Sequence, residues 1–204
     1  MTGRSTIESL SNPLIKRMRL LREKRHRRAE GLFLAEGLRI ATEARDDLDR
    51  DAAPIWLVAE RLRDPGNLGT MLRTGDAVGA GGLILLGEST DPYAVEAVRA
   101  SMGAIFTQKL VVARWDEFLP WLRQGPGQLV ATWLGDDTQD YQAVRYTAPT
   151  FILTGNESQG LPPEYADAAD VRVKMPMMGK ADSLNAAVAT AVMAYEVLNQ
   201  RRNQ

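Results

Sequence analysis

The chain has 204 residues, 45% of them hydrophobic and 25% charged, with a net charge of −1. This is one domain plus a small appendage, apolar enough for a packed core. It holds no cysteine and a single histidine, His26, which excludes disulfides, thiolate metal sites and a Cys nucleophile and argues against His-ligated zinc or a Ser-His-Asp triad.

The charge is unevenly spread. Residues 1–40 carry ten Lys/Arg against four Glu, a balance of +6, so the remainder carries about −7. Residues 13–30, PLIKRMRLLREKRHRRAE, read as one helix with Asn12 as cap and Pro13 in the first position. Leu14, Met18 and Leu21 give it a narrow apolar stripe, and Lys16, Arg17, Arg22, Lys24, Arg25, Arg27 and Arg28 are candidate contacts to RNA phosphates. Phe33-Leu34 reads as a short strand, Gly37 precedes a short helix, and Arg45 to Pro54 is a polar linker. Domains are therefore expected at 1–50, a basic RNA-binding region, and 51–204.

The second region alternates strands and helices. Ile55–Ala59 is a buried-strand candidate; a helix follows, capped by Asn67, with Leu68, Met71, Leu72, Gly75 and Val78 on one side and Thr70, Arg73 and Thr74 on the other. Leu83–Leu86 closes a parallel βαβ unit. Residues 92–104 read as a helix on which Ser101 is a candidate to face substrate. Lys109–Val112 is a strand, Trp115–Arg123 an amphipathic helix, Gln128–Trp133 a strand, and GDDTQDYQAV an acidic loop. Phe151–Leu153 and Val171–Val173 are strands that end in loops rich in Gly, Asn, Ser and Asp. A long helix follows, with Asp182 or Ser183 as cap, Asn185 in its first turn, and Leu184, Val188, Ala191, Tyr195 and Leu198 as a buried stripe. The whole predicts an α/β fold, a mainly parallel open sheet with helices on both faces. A ligand pocket is expected at the ends of the late strands, since no GxGxxG or Walker loop follows the early ones. An ordinary doubly wound enzyme of another chemistry stays open on these features. No apolar run reaches the roughly 20 residues of a membrane span, and the expectation is a cytoplasmic protein without a metal.

Three segments carry a resemblance. RDPGNLGTMLRTGDAVGA, GNESQGLP and MPMMGKADSLNAAVA are similar, in order and spacing, to the three motifs of the SpoU (TrmH) family of RNA 2′-O-ribose methyltransferases, within the SPOUT class. SLSNPLIKRMRLLREKRHRRAEGLFLAEGLRI resembles, more weakly, the start of the ribosomal-protein-like substrate domain that many such proteins carry. The resemblance implies a C-terminal trefoil knot, a homodimer, and S-adenosylmethionine as methyl donor. It implies that Asn67, Arg73, Glu157 and Asn185 are catalytic. Thr132, Leu153, Gly155, Met175, Ser183, Leu184 and Asn185 are the implied cofactor contacts. The implied substrate is RNA, 23S-type ribosomal RNA ahead of tRNA; a non-catalytic RNA-binding protein of the same fold is the alternative.

Overall fold

A computed structural model describes residues 13–34 and 53–202. A seven-stranded sheet forms its centre: β1 (Ile55–Glu60), β2 (Gly82–Leu86), β3 (Lys109–Ala113), β4 (Gln128–Thr132), β5 (Gln139–Asp140), β6 (Thr150–Thr154) and β7 (Val171–Lys174). The strand order is β3-β2-β1-β6-β4-β7-β5, and every pair is parallel. Around it lie α1 (Pro13–Leu20), α2 (Lys24–Glu30), α3 (Pro65–Val78), α4 (Val95–Ala100), α5 (Trp115–Arg123), α6 (Pro163–Asp167) and α7 (Ala186–Arg202).

Side chains that alternate along the strands separate two cores. Ile55, Leu57 and Ala59 of β1, with Ile152 and Val173, face Leu68, Met71 and Leu72 of α3 and Ala187, Met193 and Ala194 of α7. Trp56 and Val58, with Phe151 and Leu153, face Phe118 and Leu122 of α5, and Tyr165 of α6 packs beside them. Strands β1, β2 and β6 are buried along their whole length, as expected of parallel strands covered on both sides.

The strands expected from Ile55 onward all form, and the differences lie in the N-terminal region and the helices. The predicted helix over 13–30 is two helices. The Arg27 guanidinium donates to the carbonyls of Leu21 (2.7 Å) and Arg22 (2.6 Å), which caps the turn between them. Arg27 is thus no phosphate contact: it is buried, and its ion pair with Asp91 (2.6 Å) ties α2 to the sheet domain. Breaking a largely buried pair costs about 3 kcal/mol or more. Arg27→Ala is expected to undock α2, seen as hydrogen exchange of the α2 amides speeding up about a hundredfold or more while β1 and β6 stay protected. Of the expected apolar stripe, Leu21 is buried while Leu14 and Met18 are exposed. Phe33 is in no strand; its ring stacks between Tyr93 and Phe106. The short helix expected after Gly37 and the linker from Arg45 to Ala52 lie outside the described residues.

Helix α3 starts earlier than expected. Asp64 is the cap, accepting the Asn67 N–H (2.7 Å), and Asn67 lies in the first turn. Thr74 is buried rather than on the open side. The helix expected over 92–104 shortens to α4, because Met102 and Gly103 adopt positive φ. Ser101 is fully buried and donates to the Val98 carbonyl (2.7 Å), so it faces no substrate. The acidic loop contributes β5.

Helix α7 starts later than expected, at Ala186, with Asn185 as its cap: the Asn185 side chain accepts from the Ala187 and Val188 N–H groups (2.9 and 3.3 Å). Its buried side differs from the expected stripe, of which Leu198 packs against the core and Ala191 is half-buried. Ala186, Ala187, Thr190, Met193, Ala194 and Val197 face the core, while Leu184 (39% exposed), Val188 (47%) and Tyr195 (52%) face outward. Small residues win the inner face because α7 packs closely on β6, where the Thr190 and Thr154 hydroxyls bond at 2.8 Å. Among the described residues no helix is long and apolar enough to cross a membrane, and no group of His, Cys, Asp and Glu is placed to hold a metal.

Candidate active site

The C-terminal ends of β4, β6 and β7 surround a cavity of about 460 Å³. Its walls come from three loops: Thr132 to Gly135 after β4, Thr154 to Leu161 after β6, and Lys174 to Leu184 after β7. The loop after β6 is held tightly. Asn156 and Gly160 pair through both backbone bonds (3.1 and 2.9 Å). The buried Asn156 side chain accepts from Ser158 and Gln159 within the loop and donates to the Arg61 carbonyl at 2.8 Å. Gly160 has φ +68°, the left-handed region. Gly155 is required by space: a Cβ there would lie 2.3 Å from the Gly160 carbonyl carbon and 2.4 Å from the Leu161 nitrogen.

On the cavity rim the three motif segments meet. The Glu157 carboxylate accepts the backbone N–H groups of Arg63 and Asp64 (both 3.1 Å) and the Asn67 side-chain amide (3.0 Å). The Asn67 oxygen accepts from the Asn185 amide at 2.9 Å. Since an ionised carboxylate only accepts, Asn67 must turn its NH₂ to Glu157 and its oxygen to Asn185. Asn185 then has its own oxygen free for the first N–H groups of α7. A single chain of donors therefore runs from α7 through Asn185 and Asn67 to Glu157, and it fixes both amide orientations.

Burial pushes the Glu157 carboxyl up, but the bonds from Asn67 and the backbone N–H groups outweigh it and hold it below the ordinary carboxylate value. A depressed carboxylate stabilises the fold above its unfolded value, near 4.5, and that contribution is lost as pH falls through the folded value. The relay is expected to stay intact at neutral pH and to fail only in acid. Glu157→Gln should remove that acid transition, and should slow any reaction at the site about tenfold or more at pH 7, because an amide cannot accept all three donors.

Of the implied site residues, Asn67, Glu157 and Asn185 are joined directly, and Thr132, Gly155, Met175, Ser183 and Leu184 line the cavity. Leu153 does not line it; the side chain is in the core, and only the carbonyl is used, accepting from Thr132 Oγ1 at 3.3 Å. Arg73 is outside the relay. It is exposed on α3, with no hydrogen-bond or ion-pair partner among the described residues. Glu157 fixes Asn67, not Arg73. Residues not singled out from sequence include Asn156, Trp133, Leu161 and Val173. Asn156 lay in plain view inside GNESQG; the others are ordinary strand-end and loop residues without a chemical signal.

The family model described as "SpoU rRNA Methylase family" matches residues 54–195. This chain belongs to the SpoU rRNA methylase family. A second model, the MRM3-like substrate binding domain, matches residues 12–60. The 23S rRNA (uridine(2479)-2′-O)-methyltransferase of Streptomyces viridochromogenes is 36% identical over 76% of this chain and 57% of its own length. The tRNA (guanosine(18)-2′-O)-methyltransferase of Aquifex aeolicus is 32% identical over 78% of this chain and 76% of its own. The chain thus spans 57–60% of the length of the first curated relatives it matches. Over 97% of both chains it superposes on the AdoMet-bound rRNA methyltransferase of Sinorhizobium meliloti, with a TM-score of 0.84 and 34% identity. The SpoU residues therefore coincide with the sheet domain, and all three motif segments fall within that match.

Proposed function

We propose that the protein transfers a methyl group from S-adenosylmethionine to a ribose 2′-oxygen of RNA. The observation that carries this reading is the relay from Asn185 through Asn67 to Glu157 at the mouth of the strand-end cavity. The cavity suits the donor. Its size is that of small-molecule sites, roughly 300–1,000 Å³, and its wall at Gly155 is bare backbone that a Cβ would fill. Thr132, Gly155, Met175, Ser183 and Leu184 would hold the cofactor, with the Leu153 carbonyl buttressing Thr132. When bound, the cofactor supplies an electrophilic methyl on a sulfonium. Asn67 and Asn185, their amides locked, would position the ribose; alignment of this kind lowers the barrier without a covalent enzyme intermediate. That route suits a chain with no cysteine, whose one histidine lies in α2. The Arg73 guanidinium offers N–H donors and no acceptor, so it is not the base; it stabilises negative charge developing on the 2′-oxygen.

Three finer points belong to the same reading. The order β1-β6-β4-β7, together with α7 packing back against β6 and α3, supports a trefoil knot through the loops after β6 and β7. The outward Val188 and Tyr195 of α7, with Leu184 just before it, support a homodimer through that helix. Residues 1–50 are read as an RNA-binding region, with Lys16, Arg17, Arg22, Lys24, Arg25 and Arg28 exposed; Arg17 and Arg25 also pair with Glu30 and Glu23. A cytoplasmic setting accords with an RNA substrate. Ribosomal RNA is favoured, since the relative of higher identity acts on 23S rRNA and the S. meliloti neighbour is an rRNA methyltransferase. The decisive experiment is mass-spectrometric mapping of ribose methylation in RNA incubated with the protein and S-adenosylmethionine. One new 2′-O-methyl site supports the reading; cofactor uptake with no methylation of rRNA or tRNA points instead to a non-catalytic RNA-binding protein.

A further inference from the structure

A second cavity, of about 910 Å³, opens between α2 and the loop after β2. Its charged walls are Lys24 and Arg28 of α2 and Arg63, facing Glu88; Asp91 is already neutralised by Arg27. Its aromatic wall is Tyr93, which is 41% exposed yet backed by Phe33 at 4.9 Å between ring centroids; Phe33 in turn stacks on Phe106 at 5.7 Å. The outer ring is thus held in place from behind while one side stays open. Arg63 connects this cavity to the active-site rim: the residue lines the cavity and its backbone N–H donates to Glu157 at 3.1 Å.

We propose that this cavity is a subsite for a nucleotide flanking the methylated one, with its base stacked on Tyr93 and its phosphates met by Arg28, Lys24 and Arg63. The assignment rests on RNA being the substrate. An open ring with nearby cations is the pairing that single-stranded nucleic acid selects, because every base has a π-face and every linkage a negative charge. The shared Arg63 puts the subsite next to the ribose that Asn67 would position, so it holds the strand on one side of the reacting nucleotide.

The test uses the full chain and a fluorescein-labelled single-stranded RNA of about a dozen nucleotides, read by anisotropy at several salt concentrations. Tyr93→Ala is expected to weaken binding about tenfold with an unchanged salt slope, and Tyr93→Phe to restore it. Arg28→Ala should instead lower the salt slope by about 1. Uptake of S-adenosylmethionine by Tyr93→Ala, measured by calorimetry, should match wild type, which also reports that the variant is folded. Equal RNA affinity for Tyr93→Ala and wild type overturns the subsite. RNA affinity that depends on Tyr93, in a protein that methylates no RNA, keeps the subsite and removes the catalytic reading.

Discussion

Arg73→Ala is expected to slow methyl transfer to RNA by about 10²–10³-fold, or roughly 2.7–4 kcal/mol of transition-state stabilisation, the scale seen when one oxyanion donor is removed. The guanidinium lies exposed on α3, about two turns beyond Asn67, and has no internal partner among the described residues to satisfy it. A charge left unengaged by the folded chain, on the helix that carries Asn67, is free to meet a group that arrives with the substrate. Because it holds nothing inside the protein, the variant should melt with wild type and take up S-adenosylmethionine equally. The effect should fall on kcat at saturating cofactor. Arg73→Lys should recover little, since an ammonium lacks the planar fork of donors. Single-turnover transfer of a labelled methyl group measures this, and transfer at wild-type speed in Arg73→Ala would remove the arginine from the mechanism.

Gly155→Ala is expected to abolish cofactor uptake, with a loss of at least about a hundredfold in affinity and a destabilisation of about 1–3 kcal/mol from overpacking. The added methyl would sit 2.3 Å from the Gly160 carbonyl carbon and 2.7 Å from its oxygen, and backbone cannot swing aside as a side-chain tip can. The paired bonds between Asn156 and Gly160 would have to open, and with them the wall that carries Glu157. Gly160→Ala is the control. A Cβ there meets nothing within 4 Å, so the cost is the left-handed backbone alone, about 1–2 kcal/mol. Calorimetric titration of both variants separates the two glycines; equal cofactor affinity in Gly155→Ala and wild type would mean that the loop yields without harm.

Much of the fold was legible because strands buried on both sides read as short aliphatic runs. IWLVA, LILL and FILT allow few alternatives, and their separation by helical segments implies a parallel sheet. What the sequence concealed was where polar side chains go. Arg27 looks like its basic neighbours in KRHRR, and only the fold shows Asp91, 64 residues away, waiting for it. Leu184, Val188 and Tyr195 have helical spacing, and spacing alone cannot say which side of α7 meets the sheet; the alanines do, because close approach to β6 rewards small side chains. Periodicity could not reveal the relay either. Asn67, Glu157 and Asn185 are 90 and 28 residues apart in sequence, and their joint role came from family likeness before geometry joined them.

The strand order has a consequence for how the molecule is made. β6 lies between β1 and β4, yet it is synthesised after both. A ribosome that has reached β5 has produced one partial sheet, β3-β2-β1, and the strands β4 and β5 with no partner yet made, a state that invites strand pairing with other chains. The central seam closes only when Thr150 to Thr154 emerge, and every contact it makes spans a long stretch of chain, which slows folding. Cells producing this protein must shield an unfinished intermediate for most of translation, and fragments ending before Thr150 should collect in the insoluble fraction.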